Sequence, residues 1–376
     1  MSRRGVGVNT MMRKLRLATG LVLFVFLTLH LTNMIFGLAS LDLLLAAQPV
    51  LSAPWANPVG SVVLLASFAV HLALGFVALY RRNTLRMPAY DAVQYVAAFL
   101  IFPLLLAHLF GVKLAFSMIG FVPGYLSVLH TFWVQLPEEG LRQVVLVAVA
   151  WIHGAVGVFT CLRLYPWWRR VAPFAYPLAV AVPVAALLGF VEAGNQVIAL
   201  GPNPPPGSFV AAPDGAPPFA ERYAFYLRVE WLTLGAYFVV LALVMAARSW
   251  RLDRFGDRTV ELRYRHGPTI QTPAGPTLLE MSRLNDVPHA NMCRGRGRCG
   301  TCRVRIGFAS ASLPPPSELE QKTLDRVEAP RGVRLACQVA PAAGIVELER
   351  LLPADTGMTG ARDEDAAGEA VPEALP

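Results

Sequence analysis

The chain has 376 residues, of which 55% are hydrophobic and 15% are charged, and its mean hydropathy is +0.48. This composition excludes a soluble globular protein, in which about a quarter of the residues are charged. The formal net charge of +8 calls for no nucleic-acid partner, because many of the basic residues flank apolar segments.

Six apolar segments are each long enough to cross a bilayer as a helix, which takes about 20 residues. They lie at 15–38, 58–80, 91–117, 141–164, 174–200 and 223–247. The first apolar run is too long for a signal peptide, and no small-residue cleavage site separates it from the other spans. We therefore expect residues 15–250 to form a six-helix, multi-pass transmembrane domain after a short N-terminal segment at 1–14.

Basic residues lie on one side of this predicted domain. They are Arg3, Arg4, Arg13, Lys14, Arg16, Arg81, Arg82, Arg86, Arg163, Arg169, Arg170, Arg248, Arg251 and Arg254. The other loops are poor in Arg and Lys, including the Pro/Gly-rich loop at 201–218. The positive-inside rule then predicts that both termini lie in the cytoplasm, with the chain in a bacterial inner membrane.

Histidines form the main polar pattern inside the predicted spans. Ionisable residues within a membrane are energetically costly and usually functional. With about 1.5 Å of rise per residue, they sort by depth into an outer pair, His30 and His108, and an inner pair, His71 and His153. Imidazole is a common axial ligand of haem iron, and facing helices of a bundle can place two ligands across its core. The pattern predicts one or two b haems, and hydrogen-bonded packing residues are the alternative.

Two other polar residues of this part carry weaker signals. Glu192, in the fifth span, is compatible with proton transfer, with quinone binding and with a plain interhelical hydrogen bond. His130 lies in the outer loop after the third span, where we expect an exposed or interfacial side chain.

The membrane part resembles the cytochrome b anchor of succinate dehydrogenases and fumarate reductases. The most similar segment is RLATGLVLFVFLTLHLTNM, which contains His30. In the dihaem members of that family, the ligands come from four helices in alternating pairs. The resemblance therefore implies that His30 pairs with His108 and that His71 pairs with His153. The chain differs from the family in its six spans and its fused C-terminal domain.

Four of the five cysteines follow the membrane part in a C-x5-C-x2-C-x34-C pattern, at Cys293, Cys299, Cys302 and Cys337. Three thiolates in a tight loop and a distant fourth are typical of a 2Fe-2S cluster. Structural zinc prefers two paired knuckles, and Cys337 has no neighbouring cysteine. Disulfides need an oxidising compartment, whereas the predicted topology puts this segment in the cytoplasm. All four cysteines are therefore predicted ligands of one 2Fe-2S cluster.

The residues around the cysteines predict a small α+β domain at 251–350. We expect strands at 258–264, 268–271, 302–306 and 344–348, and a helix at 277–284 before the cluster loop. The segments GPTLLEMSRLNDVPHANMCRGRGRCGTCRVRI and RLACQ resemble the β-grasp 2Fe-2S ferredoxins, over roughly residues 257–350. The predicted fold class is thus an α-helical six-span membrane bundle plus a C-terminal α+β β-grasp domain.

The combination of both parts resembles the sensor half of bacterial membrane class III adenylate cyclases. In those proteins a cyclase domain follows the ferredoxin, whereas residues 351–376 are acidic, lack aromatic residues and are predicted to be a disordered tail. The resemblance implies a redox sensor for a cyclase-type partner. The alternative is a quinone or transmembrane oxidoreductase subunit.

No motif for other catalysis is present, since the chain lacks GxxxxGKS/T, GxSxG, HExxH and a dinucleotide fingerprint. We therefore predict no catalytic residue outside the redox centres and leave enzymatic activity open. The expected partners are the lipid bilayer, quinone, a cyclase-type or redox partner protein, and a second copy of the chain in a homodimer.

Overall fold

The computed structural model describes residues 3–163, 165, 167–254 and 258–356. The predicted tail at 351–376 lies mostly outside the described residues. Up to residue 254 the described chain is largely helical. The helices are α1 (Arg3–Ile35), α2 (Leu41–Ala56), α3 (Pro58–Arg81), α4 (Ala89–Lys113), α5 (Ala115–Ile119), α6 (Tyr125–His130), α7 (Pro137–Leu162), α8 (Trp168–Ala199) and α9 (Phe219–Asp253).

Six of these helices are long and apolar enough to cross a membrane, which confirms the predicted six-span bundle. They are α1 with the short 3-10 turn Phe36–Leu38 that follows it, α3, α4, α7, α8 and α9. The fifth span begins at Trp168 rather than at 174. Its helix α8 contains three prolines, Pro173, Pro177 and Pro183, and the first of them does not end the helix. Prolines are tolerated within membrane helices more readily than in soluble ones.

Helix α1 lies at the centre of the bundle, between α3 and α8, while α4 packs along α7. The contact between α1 and α8 is close because glycines meet there. A Cβ on Gly37 would lie 2.4 Å from the Gly189 carbonyl oxygen, and one on Gly189 would lie 2.0 Å from that of Met34. Small residues allow this backbone approach between membrane helices.

Helix α2 is an element that the sequence analysis did not predict. Its 16 residues are too few to span a bilayer, and it carries two prolines, Pro49 and Pro54. Ser40 caps its N-terminus, and the hydroxyl of this residue accepts a hydrogen bond from the Leu43 N–H at 3.0 Å. The helix packs against α1, α3 and α8 and connects the first two spans.

The C-terminal domain is a five-stranded sheet with two helices. Its elements are β1 (Thr259–Tyr264), β2 (Thr269–Pro273), α10 (Leu278–Leu284), β3 (Arg303–Ala309), α11 (Glu318–Arg326), β4 (Val333–Leu335) and β5 (Gly344–Arg350). The strand order is β2-β1-β5-β3-β4, with β1 and β5 parallel and the other neighbours antiparallel. The four predicted strands and α10 are confirmed, whereas β4 and α11 were not predicted.

Specific polar contacts fix both helices of this domain. Thr277 and Glu280 form a reciprocal capping box at the start of α10. In α11 the carboxylate of Glu320 is fully buried and binds the Arg334 guanidinium on β4 through two bonds of 2.8 and 3.0 Å. The same carboxylate accepts the Leu335 N–H at 2.9 Å, so it ties α11 to the strand that precedes Cys337.

Candidate redox site

The cluster loop, residues 293–302, lies between α10 and β3 and brings three of the four cysteines together. Cys337 follows β4 and reaches the same place. All four side chains are buried, and none forms a disulfide.

The thiols lie in two pairs. The side chains of Cys293 and Cys299 are within hydrogen-bonding contact, and so are those of Cys302 and Cys337. Within the described residues, no three His, Cys, Asp or Glu side chains converge on the position of a single metal ion. Two pairs of thiolates are the donor set of a two-iron cluster, in which each iron takes two of them. The residues present therefore fit a 2Fe-2S cluster.

Backbone N–H groups point at the sulfur atoms of this loop. Arg298 N–H donates to Cys293 Sγ at 3.4 Å, while Cys293 N–H and Thr301 N–H donate to Cys299 Sγ at 3.3 and 3.4 Å. The Cys299 thiol, followed by the backbone N–H groups of Arg298, Cys299 and Arg296, lowers the pKa of Cys293 to about 5, although burial opposes the effect. Such donors stabilise negative charge on sulfur and tune the potential of a bound cluster.

Positive φ angles let the loop wrap around the cysteines. Gly295, Gly297 and Gly300 have φ of 79°, 64° and 79°. At Gly297 the neighbours add a second constraint, because a Cβ there would lie 2.9 Å from the side chain of Gln338. An L side chain at this position would be both strained and crowded.

The four membrane histidines also lie in two pairs, and these are the pairs that the sequence implied. The ring centres of His30 and His108 are 6.1 Å apart, and those of His71 and His153 are 6.2 Å apart. Two imidazoles on opposite sides of one metal ion have ring centres roughly 6 Å apart, since each metal–nitrogen bond is about 2 Å and the nitrogen lies about 1 Å from its ring centre. Both separations match that geometry.

Hydrogen bonds engage one ring nitrogen of three of these histidines. His71 Nδ1 donates to the Arg16 carbonyl at 3.1 Å, and His153 Nδ1 donates to the Gln94 carbonyl at 3.2 Å. His30 Nδ1 lies 3.0 Å from the Tyr125 hydroxyl. In the part of the chain that the structure describes, none of these rings has a hydrogen bond at Nε2. A ring that donates from Nδ1 keeps its Nε2 lone pair for a metal, which is the usual arrangement of ligating histidines.

A cavity of about 620 Å³ runs through the bundle and contacts all four histidines. Glycines from three helices line it, namely Gly20 of α1, Gly75 of α3, and Gly154 and Gly157 of α7. A Cβ at Gly75 would meet no atom within 4 Å, so open space lies next to His71 one turn earlier. The volume is within the range of cofactor sites, about 300–1,000 Å³. The paired rings, the free Nε2 atoms and this cavity fit haem.

The C-terminal domain lies at the inner mouth of this cavity. Arg13 Nη2 donates to the Arg296 carbonyl at 2.7 Å, and Arg163 donates to the Met292 carbonyl. The guanidinium of Arg294 lies 3.3 Å from the centre of the Tyr90 ring. The cluster loop itself therefore contacts the membrane bundle.

Contacts outside the loop extend this interface. Asn83 Nδ2 donates to the Gly275 carbonyl at 2.6 Å, and Arg86 Nη1 donates to the Leu284 carbonyl at 3.0 Å. Arg86, Arg13 and Arg163 all belong to the basic residues that predict the membrane topology. These basic side chains in fact bind backbone carbonyls of the C-terminal domain, a role that their position in the sequence does not reveal.

His130 and Glu192, two other polar residues of the membrane part, lie outside the histidine pairs. The prediction that His130 is exposed or interfacial was wrong, because its side chain is buried and its Nε2 donates to the Gly201 carbonyl at 3.1 Å. Glu192 accepts a hydrogen bond from Gln196 at 3.2 Å, one turn later on α8, and lies outside the set of residues that line the cavity.

Fold and site together define a membrane-associated protein with a C-terminal 2Fe-2S electron-transfer domain. Residues 264–342 match the family of the 2Fe-2S iron-sulfur cluster binding domain. No solved structure matches the chain. The match supports a 2Fe-2S cluster, and it covers only the C-terminal domain.

Curated relatives include one component of the Na(+)-translocating NADH-quinone reductase, the same one in several bacteria. The Klebsiella pneumoniae protein is 38% identical over 102 residues, which are 27% of this chain and 24% of the relative. The Histophilus somni protein is 34% identical over 114 residues, or 29% and 27% of the two chains. The chain thus spans about a quarter of the length of these relatives. Since they are components of a quinone reductase, the comparisons favour the oxidoreductase alternative over a sensor for a cyclase.

Proposed function

We propose that this chain is an oxidoreductase subunit that carries electrons between a cytoplasmic 2Fe-2S cluster and quinone in the membrane, with b-type haem in the helical bundle. Cys293, Cys299, Cys302 and Cys337 hold the cluster. His30 with His108 and His71 with His153 hold two haems. Both termini and the C-terminal domain face the cytoplasm of a bacterial inner membrane, as the basic loops indicate.

The position of the cluster loop supports this function most directly. Arg296 and Arg298 of the loop line the same cavity as His71 and His153. Helix α1 joins the two sites, because Arg13 binds the loop and the Arg16 carbonyl, one turn later, binds His71. The inner histidine pair is therefore the nearer of the two pairs to the cysteines.

The two histidine pairs follow each other along α1. His71 contacts Thr19, with 3.2 Å between Nδ1 and Oγ1, and His30 is on the same helix. The eleven residues from Thr19 to His30 correspond to about 16 Å along a helix axis. Bound haem iron and iron-sulfur clusters each accept and release single electrons. Pairs at two depths are suited to moving electrons across part of the bilayer.

Quinone is the proposed membrane partner. The relatives in which the 2Fe-2S domain recurs are components of NADH-quinone reductases. The match between this chain and these relatives covers that domain. Quinone as a partner is supported by this similarity and by the position of the histidines within the membrane spans.

A kinetic experiment tests this function. The full chain is placed in nanodiscs with a lipid-embedded quinone, and the cluster is reduced from the water phase by a flash of light with a photoreductant. The substitution His71→Ala should slow re-oxidation of the cluster by about tenfold or more, because metal ligation at the inner pair is lost. His130→Asn removes a buried histidine outside both pairs and should leave the rate unchanged. Re-oxidation of the His71→Ala cluster at the wild-type rate would contradict the proposed function.

A further inference from the structure

Four arginines surround the inner mouth of the cavity. Arg13 and Arg16 come from α1, and Arg296 and Arg298 come from the cluster loop. We call them the cavity-mouth arginines. They line the same continuous cavity as the inner pair, His71 and His153, and so bring positive charge from both parts of the chain to one place.

Within the described residues, none of the cavity-mouth arginines forms an ion pair with a carboxylate. Burial lowers the pKa of Arg296, the charges of Asp91 and Cys293 oppose this effect, and the charges of Arg16 and Arg294 add to it. Arg13 and Arg298 bind neutral acceptors instead, the Arg296 carbonyl at 2.7 Å and the Cys161 sulfur at 3.6 Å. Like charges in a half-buried position repel one another, so an anion between them would be strongly favoured.

We propose that the cavity-mouth arginines bind the carboxylate groups of the haem held by His71 and His153. This inference rests on the proposed function. A guanidinium presents a planar fork of N–H donors that matches a carboxylate. A b-type haem carries two carboxylates on one edge and is otherwise apolar, and the cavity likewise has arginines at one end and apolar residues such as Leu17, Leu72 and Phe99 beside them.

The same anionic chemistry could come from a lipid phosphate. The enclosure of the mouth favours haem, because Arg13 and Arg163 hold the cluster loop over it through backbone carbonyls. Arg16 also lies close to the inner histidines, since its carbonyl is itself the partner of His71. The loop that carries the cysteines would then bind the inner haem directly, which fixes the two redox centres relative to each other.

The potential of the inner haem tests the proposal. Cations near haem stabilise its reduced form, which carries one electron more, so their loss should lower the midpoint potential. In the double variant Arg296→Gln/Arg298→Gln, the equilibrium constant for reduction of one of the two haems should fall by about threefold or more. This corresponds to a midpoint potential lower by about 28 mV for a one-electron couple. The readout is a potentiometric titration of the haem absorption in the full chain. Arg296→Lys/Arg298→Lys keeps both charges and should restore the wild-type potential.

Other variants assign the shift to one haem. In a His71→Ala background, which lacks the inner haem, the double Gln variant should change no remaining potential, whereas in a His30→Ala background the shift should persist. Loss of one haem from the Gln variant, with retention in the Lys variant, would also support the proposal. Arg294→Gln is the matched control, because it removes a charge from the same loop but the Arg294 side chain stacks on Tyr90 outside the cavity.

Three outcomes overturn the inference. One is an unchanged haem content and potential in the double Gln variant, and another is an equal shift in Arg294→Gln. The third is a loss of bound phospholipid phosphorus per chain with unchanged haem potentials, which would assign the arginines to a lipid headgroup. A wild-type chain without any b haem would instead contradict the proposed function, and the two failures are thus distinguishable.

Discussion

One ring nitrogen of a membrane histidine can accept or donate a hydrogen bond while the other binds a metal. At His30 the Tyr125 hydroxyl lies 3.0 Å from Nδ1, while Phe26 stacks on the ring with 5.7 Å between centres. These contacts engage Nδ1 and one face of the ring, and His30 lines the cavity. The position of His30 within a span predicts its role from the sequence, whereas Tyr125 is distant in the sequence and has no spacing that would predict its contact with His30.

Removal of the Tyr125 hydroxyl should therefore weaken haem binding at the outer pair. In Tyr125→Phe we expect the affinity for that haem to fall by about 10- to 100-fold, as for other groups that orient a metal-binding histidine. Haem per chain, measured after purification and dialysis against a haem scavenger, should fall toward one. Tyr237→Phe is the control, since its hydroxyl binds the Phe99 carbonyl at 2.7 Å and no histidine. Equal haem retention in both variants would refute an orienting role of Tyr125.

A buried ion pair between Glu320 and Arg334 joins α11 to β4. Glu320 is fully buried, and its side chain is 1% exposed against 12% for its partner Arg334. The substitution Glu320→Ala leaves Arg334 without its partner and should lower the free energy of unfolding by about 3–5 kcal/mol. Urea titration of the full chain, followed through the cluster absorbance, measures this loss.

The matched control for that variant is Glu349→Ala. Glu349 forms its ion pairs with Arg265 and Arg305 at 3.3 Å, but both arginine side chains are largely exposed. Exposed pairs contribute about 0–1 kcal/mol, so this variant should unfold near the wild-type urea concentration. If Glu320→Ala behaved in the same way, the buried pair would not be what holds α11 to β4.

Among the elements of the C-terminal domain, helix α11 supports the cluster loop and also contacts the membrane helix α1. The buried Thr323 hydroxyl donates to the Gly297 carbonyl at 2.6 Å, and Arg326 donates to the Arg298 carbonyl. A Cβ on Gly300 would lie 2.9 Å from Val327, just beyond the helix. The loop is thus held between α11 and the inner ends of the membrane helices.

Loss of this support should shorten the lifetime of the cluster. Thr323→Val keeps the shape of the side chain but leaves the Gly297 carbonyl without its donor, which should destabilise the loop by about 1–3 kcal/mol. We expect faster decay of the visible cluster absorbance in air with an iron chelator. Thr272→Val, a buried threonine of β2 far from the loop in the sheet, should decay at the wild-type rate. Equal decay of the two variants would show that α11 does not stabilise the cluster loop.

Long periodic or apolar elements were predictable from the sequence, and short or amphipathic ones were not. The spans follow from hydropathy alone, and Thr259–Tyr264 follows from the alternation of polar and apolar residues in its sequence TVELRY. Helix α11 was missed because its sequence ELEQKTLDR is almost wholly polar, and its few buried side chains make tertiary contacts. Strand β4 has three residues, too few for a periodic signal.

At the scale of the whole molecule, the arrangement of the two parts was the least predictable feature. The cysteine spacing indicated the cluster ligands, and helix depth indicated the histidine pairs. The contact between the parts depends on hydrogen bonds such as Asn83 to Gly275 and Arg86 to Leu284, which join residues nearly 200 positions apart. Such single contacts leave no pattern in one sequence. They help to place the cluster loop, whose Arg296 and Arg298 line the cavity, at the mouth of that cavity.

In the proposed function, this cavity binds haem beside the 2Fe-2S domain. Haem binding is tested most directly by a dithionite-reduced minus air-oxidised absorption spectrum of the purified full chain, with haem and iron counted per chain. We predict two b-type haems per chain, together with bleaching of the broad cluster absorbance. We further predict that one haem remains in His71→Ala and one in His30→Ala. A chain that contains the cluster but no haem would contradict haem binding by the two histidine pairs. The four histidines would then be packing residues of a membrane anchor.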